Sequence, residues 1–376
     1  MRAVARQAYL AALEVSGNPS SIHRDGQRAR AILEDAREIV SSTLNCDPIE
    51  VIFTSGGTES VNLGIIGLYR ARRSVDPRRT RIIVPEGEHH ATLDALEWLE
   101  AHESAVIDWV LLDTLGRIDL TAWRDALTRE PETIAVATSL WANNEVGTIH
   151  DVDALAAACA AAEVPFHVDA IAAWGHIPVG LSPGISALSV AGHKVGSVPG
   201  VGVLVVPRSV TIDAVLHGGG QQRGIRSGTQ NPAVAASLAA AIGEAHPQQD
   251  GESERLAGLR DDAQRRILAS TDGVRVSGDL DNRLPHNLHL HIEDASSADL
   301  LYLLDEAGIS VSAGSACQAG VARASHVLLA MGRSPEQASS ALRISLGHTT
   351  TQADIDELVR VFPEVVSRAR TVSSRA

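Results

Sequence analysis

The sequence is poor in aromatic residues and contains no long apolar run. Phe, Trp and Tyr make up 3% of its 376 residues, against 44% hydrophobic and 21% charged residues. A membrane-spanning helix needs about 18 or more consecutive apolar residues, and no stretch comes near that length. The opening MRAVARQAYLAALEV has no extended apolar region, so no signal peptide is predicted. We therefore expect a soluble, cytoplasmic protein with no contact with a membrane.

Cysteine and positive charge are also scarce. The formal net charge is −14, which argues against direct binding of nucleic-acid phosphates. The three cysteines are odd in number, widely spaced and without a CxxC pair, so neither disulfides nor a zinc site are predicted. His286, His289 and His291 lack acidic or cysteine partners at ligand spacing, and we interpret them as structural.

Strand-like and helical segments alternate over the first two-thirds of the chain. This alternation predicts an α/β fold, with a mainly parallel sheet covered by helices on both faces. We expect a large domain over 16–247 and a smaller α+β domain over 248–376, to which the helical residues 1–15 also contribute. The predicted strands of the large domain are 51–54, 81–84, 106–112, 134–138, 166–169, 186–190 and 201–206. A strand over 308–311 is predicted for the smaller domain.

Polar residues follow five of these predicted strands. Ligands of parallel sheets bind outside the carboxyl ends of the strands, so the five groups predict one site. They are Ser55-Gly-Gly-Thr58, Glu88-His-His90, Asn143-Asn-Glu145, Asp169 and Gly192-His-Lys194.

Four of these residues suggest a pyridoxal phosphate site when taken together. Lys194 lies in a glycine-rich turn, where a partly desolvated amine suits a Schiff base, although most lysines are solvated surface charges. Asp169 can pair with a pyridinium nitrogen, although an Asp at a strand end more often caps a turn. Thr58 and the preceding glycines open a helix, which suits a phosphate. His89 can stack on a ring or move a proton, although such a histidine is usually structural.

Cys317 lies among small residues, which favours a mobile nucleophile over a packed core thiol. Small neighbours give backbone freedom and little packing. They are Gly314, Ser315, Ala316, Ala319 and Gly320. By contrast, Cys159 in an Ala-rich helix is interpreted as a packing residue, and Cys46 as marking a helix end.

Taken in order, the motifs resemble the cysteine desulfurases of the NifS/IscS type, which belong to the class V aminotransferases of PLP fold type I. The resemblance extends over essentially the whole chain. The motifs that carry it are Gly17-Asn-Pro-Ser-Ser-Ile-His23, Phe53-Thr-Ser-Gly-Gly-Thr-Glu-Ser60, Glu88-His-His90, Ala142-Asn-Asn-Glu-Val-Gly147, His167-Val-Asp-Ala170, Ala191-Gly-His-Lys194, His217-Gly-Gly-Gly-Gln-Gln-Arg-Gly-Ile-Arg-Ser-Gly-Thr229, Ser312-Ala-Gly-Ser-Ala-Cys317 and Leu342-Arg-Ile-Ser-Leu-Gly347.

The resemblance implies a role for each site residue. Lys194 would hold pyridoxal 5′-phosphate, Asp169 would pair with its ring nitrogen, and His89 would stack on the ring. Asn144 would bind the phenolic oxygen and help to bind the substrate. The phosphate would be bound by Gly57, Thr58, His193 and, from a second subunit, Thr229.

The resemblance also implies the reaction. Arg343 would bind the carboxylate of L-cysteine, and Cys317 would attack its sulfur, yielding a persulfide and L-alanine. The persulfide would pass to an acceptor protein for iron–sulfur cluster assembly or another thiolation pathway. The implied assembly is a homodimer.

Three departures from the family pattern leave alternatives open. The family usually opens with a strand-like Tyr-Leu-Asp-Asn-Ala-Ala-Thr-Thr segment, whereas this sequence begins in the following helix. Ala172 replaces a glutamine that donates to the phenolic oxygen, and Ala191 replaces a phosphate-binding serine. The alternatives are a selenocysteine lyase or other class V enzyme, or an impaired scaffold that binds the cofactor.

Overall fold

The computed structural model describes residues 1–314 and 324–373, and the chain divides into two compact units. The first unit comprises Met1–Val110, Leu120–Trp141 and Asp151–Gln249. The second unit comprises Leu111–Asp119, Ala142–His150 and Asp250–Ala376.

A seven-stranded sheet forms the centre of the first unit. Its spatial order is β1-β7-β6-β5-β4-β2-β3, and every strand except β7 runs in the same direction. Strands such as β4 and β6 are buried along their whole length, as expected for a parallel sheet covered on both faces. The predicted α/β class is confirmed. The strands are β1 (Val51–Thr54), β2 (Arg81–Pro85), β3 (Val106–Val110), β4 (Ile134–Leu140), β5 (Phe166–Asp169), β6 (Ala187–Ala191) and β7 (Gly202–Val205).

Seven helices accompany this sheet. α3 packs across β4, β5, β6 and β7, whereas α1 and α2 both pack on α7. Apolar residues recur every three or four positions along α2, which places Ala29, Leu33 and Val40 on its buried side. The helices are α1 (Ala3–Leu13), α2 (Arg24–Leu44), α3 (Gly57–Val75), α4 (His90–Glu103), α5 (Leu120–Thr128), α6 (Val152–Ala161) and α7 (Pro232–Ala245).

The second unit contains a three-stranded antiparallel sheet in the order β10-β9-β8. Residues of α8, α9 and α12 share one buried apolar cluster with these strands. The elements are α8 (Gln249–Ser270), β8 (Val274–Val276), β9 (Asn287–Ile292), α9 (Ser297–Glu306), α10 (His326–Ala330), α11 (Pro335–Ala338), β10 (Ala341–Ser345) and α12 (Gln352–Ser373).

The structure departs from the predicted organisation at the N-terminus. Residues 1–15 were expected in the smaller domain, but α1 belongs to the first unit. α1 packs on α7, and Arg2, which precedes α1, bonds to the same unit: its Nε donates to Val195 O at 3.1 Å and its Nη1 pairs with Glu244 at 2.9 Å. The predicted boundaries also missed Leu111–Asp119 and Ala142–His150, which fall in the second unit.

The predicted strand over 308–311 is wrong. Gly308 has φ +79°, which turns the chain after α9, and the residues that follow form no continuous ladder. Only Ser312 makes an isolated antiparallel bridge, with Arg343. Four elements of the described chain, α7, α10, α11 and β10, were not predicted.

None of the helices in residues 1–314 and 324–373 is both long enough and apolar enough to cross a membrane.

Close backbone packing joins β7 to the start of α3. A Cβ on Gly202 would lie 2.5 Å from Gly56 C and 2.6 Å from Gly56 O. Backbone atoms cannot yield as a flexible side chain would, so residue 202 must be glycine for α3 to start where it does.

We expect Gly202→Ala to destabilise the protein and Gly258→Ala to stabilise it. The first change pushes backbone against backbone, at a cost of about 1–3 kcal/mol in unfolding free energy. Gly258 lies inside α8, where an added Cβ would have no atom within 4 Å, so alanine should add about 0.5–1 kcal/mol through helix propensity. Chemical unfolding of both variants tests this, and a neutral Gly202→Ala would contradict the packing argument.

Candidate active site

The N-terminus of α3 packs directly against Ile171, two residues past the end of β5, and Ala191, the last residue of β6. A Cβ on Gly57 would lie 2.3 Å from Ile171 Cδ1 and 3.2 Å from Ala191 Cβ. Thr58 is exposed in the first turn of this 19-residue helix. Free amides at a helix start attract anions, so the predicted phosphate position has suitable donors.

His89 caps α4 and faces the same cavity as Thr58. Its Nδ1 accepts a hydrogen bond from Ala91 N at 3.0 Å, which fixes the ring. Asn62 joins the two helix starts by donating to Thr58 O at 3.0 Å and Ala91 O at 3.2 Å. Thr58 and His89 line a cavity of about 610 Å³, which reaches as far as Trp98.

Asp169 ends β5 as a buried carboxylate, 2% exposed. Its Oδ1 accepts from Ile171 N at 2.9 Å. Burial raises the pKa of Asp169 to about 6, while this hydrogen bond and the charge of Lys194 lower it. The acid and the amine therefore interact.

Lys194 stands three residues beyond the end of β6, the strand beside β5. It is the only lysine among the 376 residues. A partly desolvated amine was expected here, but the residue is exposed. The exposure follows from its place in a short 3-10 turn, Gly192–Lys194, outside the sheet.

Glu88 has no predicted role, but the structure buries it where the charge of Asp169 acts on its carboxyl group. It is 1% exposed, and its Oε1 accepts from Leu140 N at 2.8 Å. Burial raises the pKa of Glu88 to about 8, and the charge of Asp169 contributes to this rise. The only sequence signal that Glu88 belongs to the site is its position after β2, next to His89.

His193 and Thr229 complete the predicted set in the first unit. Desolvation and the charge of Lys194 lower the pKa of His193, which favours a neutral ring. Thr229 is exposed in the irregular segment before α7. No hydrogen bond within the described residues joins Thr229 to the other predicted cofactor residues.

The second unit holds the predicted substrate residues, Arg343 and Asn144. Arg343 Nη1 donates to Asn144 O at 2.9 Å. Arg343 Nε and Asn144 Oδ1 are buried and lack a hydrogen-bond partner in the described part of the chain. Burial lowers the pKa of Arg343 and Glu145 raises it, so the group stays a cation with an unused donor.

His289 lies across the sheet from Arg343 in the β9–β10 ladder. Burial lowers its pKa to about 3, and neither ring nitrogen has a partner among residues 1–314 and 324–373. Within the same residues, no group of three or more His, Cys, Asp or Glu side chains is placed to hold a metal ion.

The two described cysteines are poor nucleophiles. Burial raises the pKa of Cys46 to about 12, with Glu50 and Asp47 adding to the effect. Burial likewise raises the pKa of Cys159 to about 12. Cys317, the predicted nucleophile, lies outside the described residues.

The substituted positions Ala172 and Ala191 are both buried. Ala191 has no hydroxyl to offer a phosphate, and its Cβ instead forms part of the surface against which Gly57 packs.

Comparison with known protein families identifies the class to which this enzyme belongs. Residues 2–358 match the family described as Aminotransferase class-V. The chain therefore belongs to the class-V aminotransferases, and its cofactor is pyridoxal 5′-phosphate.

Similarity to known proteins narrows the family further. The chain is 44% identical over 378 residues to the IscS-like cysteine desulfurase of Mycobacterium tuberculosis, covering 100% of this chain and 96% of that protein. It is 36% identical over 362 residues to the cysteine desulfurase NifS of Azotobacter vinelandii, covering 96% and 88%. A solved NifS-like protein superposes with a TM-score of 0.87 at 30% identity, covering 97% and 95%. The chain belongs to the cysteine desulfurases of the NifS/IscS type.

We expect Glu88→Gln to change how stability depends on pH. An acid whose pKa is raised from 4.5 to about 8 in the folded protein adds stability below pH 4.5, and that stability is lost as pH rises through 8. Glutamine cannot ionise. As pH rises from 5 to 9, the free energy of unfolding of the variant should therefore increase relative to that of the parent protein by on the order of 2–4 kcal/mol.

Chemical unfolding at several pH values measures this difference. Glu97→Gln, an exposed position on α4, serves as the matched control and should show no such trend. A pH-independent difference between parent and Glu88→Gln would show that Glu88 is already ionised when buried.

Proposed function

We propose that Lys194 attaches the cofactor of this cysteine desulfurase and that Cys317 receives the sulfur. One observation carries the assignment of Lys194. The chain contains a single lysine, its charge acts on the buried carboxyl group of Asp169, and no other side chain in the sequence carries a primary amine. The Schiff-base chemistry of this cofactor requires such an amine.

The residues of the first unit fit pyridoxal phosphate. Asp169 offers a buried acid for the ring nitrogen, and the helix start at Gly57 and Thr58 offers amides and a hydroxyl for the phosphate. A side chain at residue 57 would fill that position, because its Cβ would already contact Ile171 and Ala191. We assign His193 and the partner subunit's copy of Thr229 to the phosphate as well.

Bound pyridoxal phosphate supplies an electron sink for the bonds broken at the substrate. Lys194 Nζ takes the proton from the substrate Cα and returns protons to the carbon skeleton. His89 Nδ1 accepts from Ala91 N, so Nε2 carries the proton of the neutral ring, which covers the cofactor. Arg343 binds the substrate carboxylate, and Asn144 would donate to the phenolic oxygen of the cofactor.

Sulfur transfer follows from nucleophilic attack by Cys317. Its thiolate attacks the sulfur of L-cysteine; an S–S bond forms while the Cβ–S bond breaks, and that electron pair passes to carbon. Cβ then takes a proton, giving L-alanine and a persulfide on Cys317. The raised pKa values of Cys46 and Cys159 support this choice of thiol.

We expect Lys194→Ala to abolish the visible absorption of the bound cofactor. The variant contains no lysine, so no other side chain can replace the amine. Spectra of purified parent and variant with added pyridoxal phosphate measure the change. A band that survives in the variant would refute the assignment of Lys194.

Cys317→Ser should retain that band but stop the release of sulfide and alanine from cysteine. Loss of the thiol removes the nucleophile without touching the cofactor residues. Cys46→Ser is the control and should keep both activities, because its thiol is held protonated. Sulfide release at the parent rate by Cys317→Ser would overturn the assignment.

We also propose a cytoplasmic homodimer in which Thr229 acts in the partner's site. The persulfide then passes to an acceptor protein. In this arrangement Lys194→Ala and Thr229→Ala chains are each impaired alone. Mixed dimers should recover part of the activity, since one of their two sites is intact. A fully active monomer in analytical ultracentrifugation would exclude this arrangement.

A further inference from the structure

A buried histidine lies two residues before Asp169 in β5. His167 is 0% exposed, and burial lowers its pKa to about 3, so its ring is neutral at physiological pH. Successive side chains of a strand alternate between the two faces of the sheet. His167 and Asp169 therefore lie on the same face, about 6–7 Å apart along the strand. His167 is thus the neighbour, on the interior side, of the acid proposed for the ring nitrogen of the cofactor.

The ring of His167 is hydrogen-bonded on both sides. Its Nδ1 lies 2.8 Å from Thr138 Oγ1 of β4, and its Nε2 lies 2.9 Å from Ser189 Oγ of β6. A neutral imidazole has one donor nitrogen and one acceptor nitrogen, and a hydroxyl can serve as either, so both bonds can form at once. The ring therefore joins β5 to each of its two neighbours in the sheet.

The same two strands hold the main chain around Asp169. Ser189 is the register partner of Asp169 on β6. On the β4 side, Trp141 N donates to Asp169 O at 2.8 Å. On the β6 side, Ala170 N donates to Ser189 O at 2.9 Å. Ser189 thus takes part in both sets of bonds, because its hydroxyl bonds to His167 and its carbonyl accepts from the residue that follows Asp169.

Burial makes this network of three side chains hard to replace. Thr138, His167 and Ser189 are each 0% exposed, so water cannot take the place of a bond that is lost. A buried polar group left without a partner is costly, whereas an apolar side chain would need no partner. A fully bonded polar network rigidifies the elements that it joins. We therefore expect β4, β5 and β6 to keep one arrangement at the edge where Asp169 lies.

We propose that His167 is a positioning residue for the ring nitrogen of the cofactor, which acts by fixing the end of β5 from which Asp169 projects. The proposal rests on the proposed pairing of Asp169 with that nitrogen. A charged hydrogen bond needs a short distance and good alignment, so a small displacement of the carboxylate weakens it. His167 is enclosed by protein, so it acts through Asp169 and not by contact with the substrate.

The test compares pyridoxal phosphate with an analogue that has carbon in place of the ring nitrogen. Each is titrated into protein freed of cofactor, and the two dissociation constants are measured by absorbance. His167→Leu should weaken the binding of pyridoxal phosphate by about tenfold, equivalent to ~1.4 kcal/mol. It should leave the binding of the analogue unchanged, because the analogue has no nitrogen with which Asp169 can pair. A residue that only supports the fold would affect both ligands alike.

Further variants separate the bonds of the ring from its packing. Ser189→Ala removes one hydroxyl and keeps the ring, so it should weaken pyridoxal phosphate selectively, and it decides the question if His167→Leu does not fold. His167→Gln retains one donor and one acceptor and should recover most of the lost affinity.

Ser139→Ala is the matched control. Ser139 is a 0% exposed residue of β4 whose Oγ has no hydrogen-bond partner within residues 1–314 and 324–373. This variant should bind both ligands as the parent does, and thermal unfolding shows whether each variant is folded.

The parent protein distinguishes this proposal from the proposed function. A parent that binds both ligands equally well would refute the pairing of Asp169 with the ring nitrogen, and the role of His167 with it. If the parent prefers pyridoxal phosphate and both His167→Leu and Ser189→Ala keep that preference, only the role of His167 fails. Equal weakening of both ligands would also refute that role, since His167 would then serve the fold alone.

Discussion

A carboxylate buried at the end of a parallel strand is the constraint on which the first unit's site depends. Asp169 has almost no access to water, so the protein must supply what solvent would have supplied. The amide of Ile171 and the positive charge of Lys194 do so. Burial raises the pKa of Glu88 and the charge of Asp169 adds to that rise, so a second negative charge beside Asp169 is disfavoured. The parallel strands β2, β5 and β6 bring these three groups to the same edge of the sheet.

Much of this arrangement could be predicted from the sequence, because parallel strands and their polar ends leave local signals. The strands Val51–Thr54 and Phe166–Asp169 were predicted with their observed bounds. Lys194 and Asp169 each follow or end such a strand, so the rule for parallel sheets placed them at one edge. The spatial order of the strands, in which β6 lies beside β5, was not predicted.

Other features depend on contacts between distant residues and left no local signal. The burial of Glu88 follows from its bond to Leu140 N, 52 residues away. α1 packs on α7, and Arg2, which precedes α1, pairs with Glu244, 242 residues away. The strand predicted over 308–311 shows the converse. Its local sequence predicts extended backbone, but a strand also needs a partner strand with which to form a ladder. In this region only Ser312 is paired, in an isolated bridge with Arg343. The exposure of Lys194 likewise depends on how its turn leaves the sheet.

The second unit is discontinuous in the sequence, and this sets an order for its folding during synthesis. Chains are made from the N-terminus, and early segments can fold before later ones exist. All seven strands of the large sheet precede residue 250, so the first unit can form while Leu111–Asp119 and Ala142–His150 are still exposed to solvent. Arg117 can form its hydrogen bond to Asp279 only after 162 more residues have been made. Glu145 O can accept from Asn287 Nδ2 only after 142 more residues have been made. A fragment that starts at residue 250 would lack both inserted stretches, so this unit cannot be separated from the chain by a single cut.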